Sequence, residues 1–231
     1  MYRNTIIKQY INAVTQIVIF FLLSSLLTIS ASARPISYPK SWTLMQKYNW
    51  EKAQLHIHYS PNIKNSLGIL SAYYYNEKAK LNAFQWNYLI SRNNQKRSQS
   101  NLYSKLHLGA IEKKIRNANF RENKFHATYS LSYDWETRRN FFLYNSGLDY
   151  EDSTERFSYF QKVRIGVAPY IAPYGKIHTW IMLQIEHTPE EFVSENQFII
   201  ASILRFFKGD ILCEIGVDSN NKILFNSIIR F

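Results

Sequence analysis

Lys124-Phe125-His126-Ala127-Thr128-Tyr129-Ser130-Leu131-Ser132-Tyr133-Asp134-Trp135 alternates apolar and polar side chains without a break. A period of two is the mark of an extended strand with one apolar and one polar face, whereas an amphipathic helix repeats every 3.6 residues. The same alternation recurs to either side. Ala53, Leu55, Ile57 and Tyr59 face away from Gln54, His56, His58 and Ser60. Phe157, Tyr159, Val163, Ile165 and Val167 oppose Ser158, Lys162, Arg164 and Gly166, and Ile177 to Ile185 alternates with His178 to Glu186. With 17 Tyr, 15 Phe and only 7 Gly, the composition favours strands as well.

This pattern predicts an all-β chain with strands near 41–48, 52–60, 66–75, 80–91, 101–111, 124–135, 139–147, 156–168, 175–186, 196–206, 210–218 and 222–231. Twelve is an even number, as an up-and-down membrane barrel in bacteria requires; ten remains if the first and seventh segments are dropped. Segments of about 9–11 residues match tilted strands that cross a bilayer. With both ends on one side, the longer connections at 112–123, 148–155 and 187–195 share the other side, and 136–138 and 207–209 are short turns. The stretch 92–100 is longer than such a turn should be and counts against the strand number.

Arg3 and Lys8, the apolar run from Ile17 to Ile29 and Ala31-Ser32-Ala33 read as a cleaved signal peptide over residues 1–33. The run falls short of the roughly 20 apolar residues of a membrane helix. The mature domain, 34–231, is then one barrel in an outer membrane. A closed barrel leaves no backbone group unpaired in lipid, and helices and barrels alone achieve this. Export argues against nucleic acid as a partner. Loss of Arg3 and Lys8 leaves 26 basic and 17 acidic residues, a net charge of +9. Anionic lipid headgroups and lipopolysaccharide are the expected partners of such a surface. The lone Cys213 shares parity with Ile211 and Ile215, so it faces lipid and forms no disulfide.

The chain closes on Ile223-Leu224-Phe225-Asn226-Ser227-Ile228-Ile229-Arg230-Phe231. Phe225, Ile229 and Phe231 on one face of a final strand resemble the signal read by the barrel assembly machinery. Ser41-Trp42-Thr43-Leu44-Met45, His58-Tyr59-Ser60-Pro61, Arg164-Ile165-Gly166-Val167-Ala168-Pro169-Tyr170, His178-Thr179-Trp180 and Leu224-Phe225-Asn226 resemble a family of Gram-negative, porin-like outer-membrane barrel proteins. The resemblance implies a barrel in the outer membrane and carries a loose association with heavy-metal or copper handling.

In such a barrel the polar parity faces the lumen. That places Lys105, Lys162, Arg164, Arg205 and Arg230 inside, against Asp134, Glu186 and Glu214, so the lumen is mildly basic. The expected function is a small channel or a structural barrel. One alternative is a ligand or transition-metal site formed by the inward histidines His56, His58, His107, His126 and His178; the other reading of these residues is hydrogen-bonding filler with no cofactor. A second alternative is a barrel enzyme, with His56 or His126 activating a serine beside Asp134 or Glu186. No nucleophile motif supports it, and the chain is expected not to be an enzyme. A soluble lipocalin-like barrel is excluded by proportion, because the apolar face is too large to fill a small core. No motif encodes an oligomeric state.

Overall fold

A computed structural model describes residues 39–49, 51–114, 121–152, 156–173, 175–187 and 198–231. The signal peptide read over residues 1–33, and the first residues of the mature domain, lie outside that set. Twelve strands are described: β1 (Ser41–Tyr48), β2 (Lys52–Ser60), β3 (Asn65–Tyr74), β4 (Ala79–Asn94), β5 (Ser98–Lys114), β6 (Arg121–Thr137), β7 (Asn140–Glu151), β8 (Arg156–Val167), β9 (His178–His187), β10 (Phe198–Lys208), β11 (Ile211–Asp218) and β12 (Ile223–Arg230). Each pairs antiparallel with its chain neighbours, and β1 pairs with β12 to close the ring. Closure continues past the ladder, where Trp42 N donates to Phe231 O (2.7 Å) and Phe231 N to Trp42 O (3.1 Å). Among the described strands no free sheet edge remains.

The ring is apolar outside. Tyr129 and Ile181 are 47% and 52% exposed, while their chain neighbours Ser130 and Met182 are 5% and 2% exposed. Exposed Ile, Leu, Phe and Tyr on alternate positions of nearly every strand form a continuous belt. In water such a surface would be strongly unfavourable. Around a closed barrel it is the face that hydrocarbon covers, and the architecture is that of an outer-membrane protein. Cys213 lies half-buried on the outer parity, with Ile211 and Ile215.

Several strands outrun the sequence expectation. β4, β5 and β6 span 16, 17 and 17 residues, so the stretch 92–100 is mostly ladder and only 95–97 turns. Polar side chains hide this, because both faces of a strand that leaves the hydrocarbon meet a polar, hydrated layer. Near its end β4 also bulges: Leu89 pairs with Tyr103, but Ser91 pairs with Leu102, leaving Ile90 over. The extra residue switches the inward parity from Leu89 to Arg92. β7 runs on to Glu151 and takes in residues expected in a loop. The end that carries both barrel termini has short turns at 138–139 and 209–210, where Gly209 adopts φ 57°. It also holds the connection 168–177, longer than expected there, ordered by Tyr170 Oη donating to Ile177 O (3.0 Å).

Two inward glycines allow strands to approach closely. A Cβ on Gly109 would fall 2.1 Å from Asn82 O and 2.5 Å from Ala83 Cα, and one on Gly68 would fall 2.1 Å from Ile57 O. Backbone cannot yield as a flexible side-chain tip can. Gly109→Val is therefore expected to cost at least the ~1–3 kcal/mol typical of overpacking. Urea unfolding of the detergent-folded barrel measures it, and an unchanged midpoint would show that β4 and β5 can separate.

Candidate functional site

The candidate site is the lumen, built from three kinds of inward side chain. On the β7–β12 side, Glu214 is the hub of a charged network and is 3% exposed. Its Oε1 accepts from Arg164 Nη1 (2.9 Å) and from Arg205 Nε (2.6 Å), and its Oε2 accepts from Asn226 Nδ2 (3.0 Å). Arg164 reaches Glu214 from three strands away, so its guanidinium spans part of the lumen. Arg164 Nε also donates to Gln184 Oε1 (3.0 Å), Gln184 Nε2 donates to Glu186 Oε2 (2.9 Å), and Lys162 pairs with Glu186 at 3.1 Å. Arg205 lies 4.7 Å from the centre of the Phe141 ring. An arrangement of this kind, in which three cations share two carboxylates and every charge is paired, holds the wall rather than a solute.

The β2–β7 side carries the histidines. Gln85 Oε1 can only accept, so His56 Nδ1 donates to it (2.6 Å), and His56 Nε2 is buried with no hydrogen-bond partner among the described residues. The His56 and His107 rings meet edge to face at 6.2 Å. His126 Nε2 pairs with Asp149 Oδ2 at 3.2 Å, and Thr128 Oγ1 donates to Asp149 Oδ1 (2.5 Å). His58 is fully buried. His178 stands apart at the start of β9, with Phe207 as its ring neighbour. Among the described residues no three His, Cys, Asp or Glu side chains are grouped so as to hold a metal ion. The carboxylates considered as partners for a catalytic histidine are engaged elsewhere. Asp134 accepts from Asn101 (2.7 Å), and Glu186 serves Lys162 and Gln184.

The lumen is less uniformly polar than strand parity predicts. Leu70, Ala72, Ala79, Leu81, Ala83 and Ile111 pack together inside β3–β5, and Phe141, Trp180, Met182, Ala201 and Ile203 inside β7–β10. These apolar patches line parts of the inner wall. Lys47 on β1, Lys105 on β5 and Lys162 on β8 also have the inward parity. Lys47 has the inward parity near the end of β1 and is exposed to solvent. It interacts electrostatically with Lys162, Lys105 and Arg164. Neither Lys47 nor Lys105 forms an ion pair among the described residues.

Arg230, buried beside Thr43, completes the inward basic set at the terminal end. Phe225 and Ile229 lie on the outer parity of β12, and Phe231, just beyond it, is exposed. Lys47, Arg92, Gln85 and Asp149 are inward residues that the alternation alone does not pick out. Lys47 shares parity with the apolar Met45, which blurs the pattern of β1, and Asp149 falls in a segment whose composition reads as loop.

No family model matches the chain, and no curated protein matches it. Among solved structures the chain is similar to a KdgM porin at 8% identity, TM-score 0.46, covering 83% of this chain and 98% of that one. It is also similar to the Acinetobacter baumannii outer membrane protein Omp33, at 6% identity, TM-score 0.42, covering 86% and 99%. A loop-deletion mutant of OmpT, an outer membrane protein of Vibrio cholerae, aligns at 7% identity, TM-score 0.32, covering 83% and 96%.

Proposed function

We propose that the barrel is a narrow, water-filled outer-membrane channel that passes small anions in preference to cations. The observation that carries this reading is Lys47, of inward parity, exposed to solvent, outside any ion pair among the described residues and within electrostatic reach of Lys105 and Lys162 on other strands. Several other inward charges are paired. Arg164 and Arg205 share Glu214, and Lys162 holds Glu186. Lys47 and Lys105 add to a wall whose paired groups already hold three cations against two carboxylates.

An unpaired cation a few ångströms from the solute path lowers an anion's energy by about 1–2 kcal/mol at an effective dielectric between those of water and protein. That amounts to a preference of about five- to thirtyfold before screening. Reversal potentials across planar bilayers in a KCl gradient should therefore show chloride preferred. Lys47→Glu with Lys105→Glu should move the reversal potential toward the potassium value. Both positions face solvent or half-buried space, so the folded barrel should survive. A parent that does not conduct, or a double variant with unchanged selectivity, would refute the channel reading or the assignment of these two lysines.

A further inference from the structure

The two ends of the barrel carry charge in different ways. On the end that holds both termini, Lys64, Lys96, Arg97, Arg138, Arg139 and Lys208 are exposed, and none of them is in an ion pair among the described residues. The acids described at that end are turned inward or covered: Glu136 has the inward parity and Asp210 is 7% exposed. The opposite rim also holds exposed cations, Lys78 and Lys80 among them, but there several charges neutralise one another. Lys113 bridges Glu77 (3.1 Å) and Glu151 (2.6 Å), Arg121 pairs with Glu112 (2.6 Å) and Lys124 with Glu122 (2.5 Å).

We infer that the basic ring on the terminal end is a docking surface for anionic phospholipid headgroups of the leaflet that surrounds it. Charge alone would suit any polyanion. The position selects lipid, because the ring adjoins the apolar belt. Ile63, 56% exposed, precedes Lys64, and Trp42 and Phe231, 46% and 56% exposed, mark the edge of the belt at this end. Aromatic side chains at that level and long basic ones just beyond it are the arrangement that fits a headgroup layer. Guanidinium groups in adjacent turns, Arg138 and Arg139 beside Lys96 and Arg97, can each donate to a phosphate oxygen without breaking an ion pair. The surface is outside the lumen, so the inference stands whether or not the barrel conducts.

The test is lipid selectivity of the intact barrel in phosphatidylcholine vesicles, read by electron spin resonance as the fraction of spin-labelled lipid immobilised at the protein. Spin-labelled phosphatidylglycerol should associate at least about twofold more strongly than spin-labelled phosphatidylcholine at low salt. In 1 M KCl, where the screening length falls to about 3 Å, the ratio should approach one. The variant Lys96→Gln/Arg97→Gln/Arg138→Gln/Arg139→Gln should lose the preference, while Lys78→Gln/Lys80→Gln on the opposite rim should keep it. A ratio of one in the parent, a preference that survives 1 M KCl, or an unchanged ratio in the fourfold variant would overturn the inference. So would sedimentation with purified peptidoglycan in the absence of any lipid preference. If the fourfold variant fails to fold, the salt series on the parent decides.

Discussion

Glu214→Gln should destabilise the barrel by about 3–5 kcal/mol, the usual cost of leaving buried charge uncompensated. Gln fills the same volume and can still accept from Asn226, so packing is preserved and charge is the quantity removed. Arg164 and Arg205 would then face each other, each about 14% exposed, with no anion between them. Urea unfolding followed by loss of the heat-modifiable folded form measures the effect. Adding Arg205→Gln to the same chain should recover part of the loss, because it removes one of the two stranded cations. A cost within about 1 kcal/mol would mean that water screens the network and that Glu214 contributes little to holding the wall.

Ile181→Arg should cost about 2–4 kcal/mol, because its side chain lies on the lipid face near the middle of β9 and a cation there loses its hydration. The contrasting position is Ser158 on β8. It is half-buried on the inward parity and in register with Asp149, so an arginine introduced there meets water and an existing carboxylate. Ser158→Arg should stay within about 1 kcal/mol of the parent. Both are read by the same unfolding measurement in lipid. Equal costs at the two positions would mean that the apolar belt is not the surface that lipid covers.

The alternation in Lys124–Trp135 and its counterparts makes the strand number, the antiparallel order and the outward apolar face legible in the sequence. Each of these follows from the period of two, which is local. The same pattern misplaces what is not periodic. Ser91 to Ser100 carries no apolar alternation, because β4 and β5 extend past the hydrocarbon into the headgroup layer, where neither face needs to be apolar, and so a paired hairpin reads as a loop. The bulge at Ile90 also escapes, since one extra residue reverses parity without leaving a compositional trace. Asp149 falls outside the expected seventh strand for the related reason that Gly147, Asp149 and Glu151 give its end no apolar inner face to recognise.

Inward direction is therefore written in the amino-acid order: Lys105, Lys162, Arg164, Arg205, Arg230, Asp134, Glu186, Glu214 and the five strand histidines all follow from position parity. Which of them meet is a matter of tertiary structure alone. Closing the ring brings Arg164 on β8 to Glu214 on β11 and Lys47 within electrostatic reach of Lys105 and Lys162, and carries His178 away from the other histidines. The physical reason is that parity is a property of one strand, whereas depth and opposition across the lumen depend on the register accumulated through every pairing in the barrel.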